Sequence, residues 1–250
     1  MKRRNFLLTS GISILSLTIP KISLGSANKN YFKLTAQLSK FHFSKKSNKT
    51  SNLWLYNQQS PGPTISVEKG EELTVEFTNL LKEPTTIHWH GIRNINAMDG
   101  VANVTQPPIE PGETFIYKFP VNDAGTFWYH AHNKSWEQVS RGLYGALIVK
   151  DTSPIGFDKD ITIVADDWRL NKDYQFDEKS LGSIMDWSHQ GRLGNWLTIN
   201  GKSNPKITIE ENVNESMFIR AKQFQMYFED ILPIIQLDKE NLNSVMVLFT

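Results

Sequence analysis

From Ile65 to Val149 apolar and polar residues alternate repeatedly with a period of two, and this pattern confines that stretch to β-structure. Ile65 and Val67 lead into a turn at Lys69-Gly70, and Leu73, Val75 and Phe77 follow. The alternation predicts these apolar side chains on one face. Phe115, Tyr117 and Phe119 repeat the pattern, Gly125 opens Thr126-Phe127-Trp128-Tyr129, and Ala146-Leu147-Ile148-Val149 closes the block. Pro61-Gly62-Pro63 and Pro111-Gly112 supply turns, and no long helical periodicity intervenes. Short strands punctuated by Gly and Pro predict a β-sandwich or barrel. Residues 151–160 read as a linker. A second set of strands is expected from Ile161-Thr162-Ile163-Val164 through Trp196–Gly201 and Lys206–Ile209. The block 161–250 is slightly short for a full sandwich and ends on apolar Val245-Met246-Val247-Leu248-Phe249, so the chain is expected to stop inside a domain.

The N-terminus has a different job. Arg3-Arg4 precede Phe6-Leu7, an apolar stretch runs to Ile19, and small residues follow at Leu24-Gly25-Ser26-Ala27. This layout predicts an export signal of twin-arginine type over residues 1–27 and a periplasmic location. The apolar stretch is shorter than the ~20 residues that cross a bilayer, so no stable membrane span is expected. Its removal takes four basic residues and no acid, turning the net charge from +1 to −3. With 27 basic and 26 acidic side chains in all, no nucleic acid is expected as a partner. The chain contains no cysteine, which excludes disulfides, zinc–thiolate sites, iron–sulfur clusters, thiol nucleophiles and a cysteine-ligated blue-copper centre.

The histidines carry the chemistry. Four of the six lie in two His-x-His motifs, His88-Trp89-His90 and His130-Ala131-His132. On a strand, residues i and i+2 share a face with Cα atoms about 6.6 Å apart. Each motif therefore presents paired imidazoles, and neighbouring strands would bring four together. Such a set, without thiolate or carboxylate pair, suits copper best among the imidazole-binding metals, with zinc a second possibility. Trp89, Trp128 and Tyr129, interleaved with these histidines, read as packing that fixes imidazole rotamers and excludes water. His42 and His189 lie outside the motifs and read as surface or structural. The six methionines are scattered, as core packing requires. Asp166-Asp167-Trp168 reads as a strand end and turn.

Thr85-Thr86-Ile87-His88-Trp89-His90-Gly91 resembles the first copper motif of the multicopper oxidases, and Gly125-Thr126-Phe127-Trp128-Tyr129-His130-Ala131-His132 resembles their second. Met98-Asp99-Gly100, Thr105-Gln106-Pro107-Pro108-Ile109, Pro111-Gly112-Glu113 and Arg141–Val149 match as well, and weaker likeness continues to about Arg220. The resemblance implies an all-β, cupredoxin-like Greek-key β-sandwich, one complete domain over 28–150 and a second, incomplete one over 161–250. It implies copper as cofactor, with His88 on a type 2 ion and His90, His130 and His132 on a type 3 pair. For Asp99 it implies proton delivery, against the simpler reading of an Asp-Gly turn. The implied reaction is one-electron oxidation of a reducing substrate coupled to reduction of O2 to water.

Family members bring four further cluster histidines and the type 1 cysteine on a later domain. This chain has neither that cysteine nor another His-x-His motif. It is thus expected to be the N-terminal, copper-binding part of an oxidase, with a separate C-terminal domain or chain as partner. The alternatives are a short periplasmic copper-binding protein and a non-catalytic structural relative.

Overall fold

The computed structural model describes residues 29–44, 48–153, 159–182, 193–203, 217–223 and 245–249. The export signal, His189 and Lys206–Ile209 lie outside the described residues. Eight strands build the first unit: β1 (Tyr31–Phe41), β2 (Ser51–Tyr56), β3 (Gly62–Glu68), β4 (Glu72–Asn79), β5 (Ile87–His90), β6 (Thr114–Pro120), β7 (Gly125–Ala131) and β8 (Tyr144–Lys150). They form two four-stranded sheets, ordered β2-β1-β4-β6 and β3-β8-β7-β5. The expected all-β Greek-key sandwich is present.

The core lies between these sheets. Leu34 and Ala36 of β1, Leu73, Val75 and Phe77 of β4, and Tyr117 and Phe119 of β6 point inward from one side. Ile65 and Val67 of β3, Ile87 and Trp89 of β5, Tyr129 and Ala131 of β7, and Leu147 and Val149 of β8 meet them from the other. Each set follows the strict alternation of a strand with one buried face. The structure differs from the single shared face predicted for the apolar residues on either side of Lys69-Gly70. Ile65 and Val67 do not share a face with Leu73, Val75 and Phe77. The Lys69-Gly70 turn carries the chain from β3 in one sheet to β4 in the other, so the two apolar sets oppose each other across the core. Period two says which residues face a core, not which sheet they come from. The strand Tyr31–Phe41, upstream of the alternating block, was also not expected; it pairs antiparallel with β2 and parallel with β4.

The expected linker over 151–160 is shortened at its end by the start of a strand. β9 begins at Lys159 and runs to Trp168, with β10 (Trp196–Ile199), β11 (Met217–Gln223) and β12 (Val245–Phe249) in a sheet ordered β10-β9-β11-β12. This part docks on the outer face of β8. Tyr144, Ala146 and Ile148 point outward there and pack with Val164, Trp168, Leu170 and Phe176 in a second buried cluster. Phe43 meets the Trp168 ring edge-on at 5.1 Å. β8 is thereby buried on both faces, which explains its unbroken apolar run Ala146-Leu147-Ile148-Val149. Among the described residues no helix is long and apolar enough to cross a membrane.

Trp89 is fully buried and contacts the rings of Tyr117, Phe119 and Tyr129 at 5.5, 5.1 and 5.8 Å. Replacing it with Ala should cost about 3–5 kcal/mol of stability, the range for removing a large core aromatic. Urea unfolding checks this; a loss under 1 kcal/mol would show that Trp89 is not a core anchor.

Candidate metal centre

β5 and β7 are antiparallel neighbours, and their register sets His88 directly opposite His130 and His90 opposite Trp128. Trp89 opposes Tyr129 on the core side. The same alternation that buries Trp89 and Tyr129 therefore places His88, His90, Trp128 and His130 together on the outer face. The His88 ring centroid lies 5.7 Å from His90, 5.3 Å from His130 and 5.1 Å from His132. His90 and His130 are 5.6 Å apart, and His130 and His132 5.9 Å. Thus all four motif histidines converge. The tightest set is His88, His90 and His130, whose ligand nitrogens lie within 4.8 Å of one another. His130 Nε2 and His90 Nδ1 are 3.4 Å apart, within the ~4 Å that two metal–nitrogen bonds of about 2.0 Å span.

Backbone carbonyls set the tautomers. His88 Nδ1 lies 2.7 Å from the carbonyl oxygen of Asp99, and His130 Nδ1 lies 2.9 Å from that of Ala131. A carbonyl only accepts, so each Nδ1 carries the proton and each Nε2 keeps its lone pair for a ligand. The Asp99 carboxylate also comes within 3.5 Å of His88 Nδ1. The loop reaches this position because of Gly100. Its φ is +78°, and a Cβ there would lie 1.7 Å from the Ile87 carbonyl oxygen. Only glycine lets the backbone lie this close to β5. On the other side, the Ile87 N–H donates to the Tyr117 hydroxyl at 2.9 Å.

His130 is 6% exposed. Burial, reinforced by the charges that neighbouring His88, His90 and His132 would carry, pushes its pKa down to about 3. It therefore stays neutral at ordinary pH, as a metal ligand must. Trp128 stacks on it with centroids 4.0 Å apart and lies 5.0 Å from His90. The structure thus separates the three interleaved aromatics. Trp89 and Tyr129 pack in the core, whereas Trp128 wedges the imidazoles from their own side.

The histidines open onto a cleft of about 450 Å³ whose far wall includes Asp166 and Asp167. These aspartates were expected at a strand end and turn. They are the last residues of β9 before Trp168 ends it, as the strand-end reading had it, and they pair with Thr198 and Leu197 of β10. Asp166 is 9% exposed and accepts a short hydrogen bond from the Tyr144 hydroxyl. Sequence reasoning missed this wall because it depends on how β9 docks on β8. His42, by contrast, is exposed and does not line the cleft, as expected.

The pKa of His130 makes a stability prediction. Its folded value lies below the ~6.5 of an unfolded histidine, so between those values the unfolded chain binds a proton that the folded one does not. The metal-free protein should lose stability as pH falls below ~6.5, His130 contributing up to about 1.4 kcal/mol per pH unit. His130→Gln should flatten that slope in urea unfolding at pH 7, 6 and 5; equal slopes would mean that His130 protonates in the fold. Gly100→Ala should lower the unfolding midpoint through strain and backbone overlap, and an unchanged midpoint would refute the close approach.

Residues 37–154 match the family model described as multicopper oxidase. The L-ascorbate oxidase of Nicotiana tabacum is 44% identical over 119 residues, covering 45% of this chain and 20% of that protein. Laccase-1 of Arabidopsis thaliana is 32% identical over 219 residues, covering 82% of this chain and 35% of that protein. The crystal structure of a multicopper oxidase from Pseudomonas thermotolerans superposes with a TM-score of 0.67 at 36% identity, over 71% of this chain and 42% of that one. The chain thus spans roughly a third or less of these two curated relatives. The matched segment, a little under half of the chain, holds both histidine motifs and nearly all of the two-sheet sandwich, so this segment is similar to a multicopper oxidase domain.

Proposed function

We propose that this chain is a copper-binding, N-terminal part of a multicopper oxidase, with His88, His90, His130 and His132 as its ligands. The observation that carries this reading is the convergence of four imidazoles, three on one sheet face and His132 just past its end, two of them with Nδ1 committed to carbonyls. The donor set fits the metal. It offers imidazole nitrogen without thiolate, and burial keeps His130 unprotonated. Residue by residue, the family pattern assigns His88 to a type 2 ion and His90, His130 and His132 to a type 3 pair. When bound, copper in such a cluster supplies one-electron redox chemistry that couples substrate oxidation to the reduction of O2 to water.

The chain's own residues do the rest. The Asp99 carbonyl orients His88, and the Asp99 carboxylate lies 3.5 Å from His88 Nδ1, a position that suits the proton delivery the family pattern implies. Trp128 excludes water from one side of His130 and limits its rotation. The chain has no cysteine and only two His-x-His motifs, so electrons from a reducing substrate require a type 1 site on a separate C-terminal domain or chain. The Arg3-Arg4 signal supports export to the periplasm.

Copper titration tests the reading. The full chain should bind copper at micromolar metal without a thiolate-to-copper blue band, and His88→Ala with His130→Ala should abolish the stoichiometric binding. No bound copper in the wild type would refute it for this chain, and unchanged stoichiometry in the double variant would put the metal elsewhere.

A further inference from the structure

We propose that Gln138 is a positioning residue for the histidine cluster, setting where His132 sits relative to His88; this rests on the copper reading above. The β5–β7 ladder pairs Ile87–His90 with Trp128–Ala131 and stops there. His132 lies beyond it, tied back by a long 3.4 Å hydrogen bond from its N–H to the Thr86 carbonyl. Yet its ring is 5.1 Å from that of His88. A hydrogen bond this long is a weak hold, so contacts beyond the ladder contribute.

The short helix α1 (Ser135–Gln138) provides the tie. The Gln138 side chain is fully buried. Its Oε1 accepts from the Thr85 hydroxyl at 2.7 Å, and its Nε2 donates to the Pro84 carbonyl at 2.9 Å. Asn133 Nδ2 donates to the same carbonyl at 2.7 Å. The segment just after His132 is thereby clamped to the segment just before His88. Both ends are anchored in turn. The Thr85 backbone exchanges hydrogen bonds of 3.1 and 2.8 Å with Ile109, and the Gln138 carbonyl accepts from the Leu143 N–H at 3.1 Å, on the way into β8. An amide suits this place because it accepts at one end and donates at the other. A carboxylate would turn an acceptor toward the Pro84 carbonyl, and an apolar side chain would leave the Thr85 hydroxyl and one Pro84 bond unmade.

The test measures copper affinity by competition titration, in the full chain, for wild type, Gln138→Met and Thr85→Val. Leu53→Ala serves as a destabilised control, since Leu53 is buried in the other cluster. Unfolding midpoints and metal-free imidazole nitrogen NMR spectra accompany each. We expect Gln138→Met to weaken copper binding about 10–100-fold, the range for partners that orient metal ligands, and to shift the His132 imidazole signals. Thr85→Val should act in the same direction, and it carries the test if Gln138→Met does not fold. Leu53→Ala should lower the unfolding midpoint without changing affinity. Wild-type affinity in folded Gln138→Met and Thr85→Val would overturn the proposal. If the wild type itself holds no copper, the copper reading fails and the metal-free spectra decide this one: unchanged His132 signals in both variants overturn it, and shifted signals sustain it.

Discussion

The pairing of β5 with β7 is the constraint on which this molecule's chemistry depends. It is a short ladder of four residue pairs, yet it decides both faces at once. On one side it closes the core with Trp89 and Tyr129. On the other it sets His88 against His130. The core aromatics are bulky and fully buried, so the hydrophobic effect that folds the sandwich also holds the polar cluster together. The site needs little separate stabilisation, because moving an imidazole would mean moving an aromatic on the opposite face.

Burial holds His130, at the centre of the cluster, in its neutral form. Several imidazoles within 6 Å of one another would repel if protonated, and burial opposes the charged form of His130 as well. Carbonyl partners for two Nδ1 atoms settle which nitrogens remain as donors. The negative groups lie at the margins: Asp99 against His88, and Asp166 and Asp167 on the cleft wall. This sets imidazole nitrogens beside carboxylates, an arrangement that favours a cation over an anion in the cleft.

Much of this was legible in the sequence, and the reason is local. Alternation and His-x-His spacing are properties of neighbouring residues, so the strands and the shared face of His88 with His90 followed directly. The convergence of the two motifs needed the resemblance or the structure, since nothing local says that residues 88 and 130 are cross-strand partners. For the same reason alternation does not say that Ile65 and Phe77 come from different sheets and oppose each other across the core. Gly100 looked like half of an ordinary Asp-Gly turn, and its requirement shows only where its backbone crosses Ile87. Gln138 gave no signal, because its partners Thr85 and Pro84 lie 53 and 54 residues away. Asp166 and Asp167 join the cleft through the docking of a different sheet.

The two-sidedness of β5 and β7 also bears on how such a chain can change over time. A substitution at Trp89 or His130 damages one face, whereas losing or gaining a single residue in either strand inverts both. After a one-residue slip in β5 Trp89 would turn away from the core, after one in β7 Tyr129 would, and in either case an imidazole would enter an apolar interior. Length variation in these strands is therefore confined to steps of two. Loops such as the one that carries Gly100 escape that parity and can vary in length, provided that a glycine still meets the backbone of Ile87.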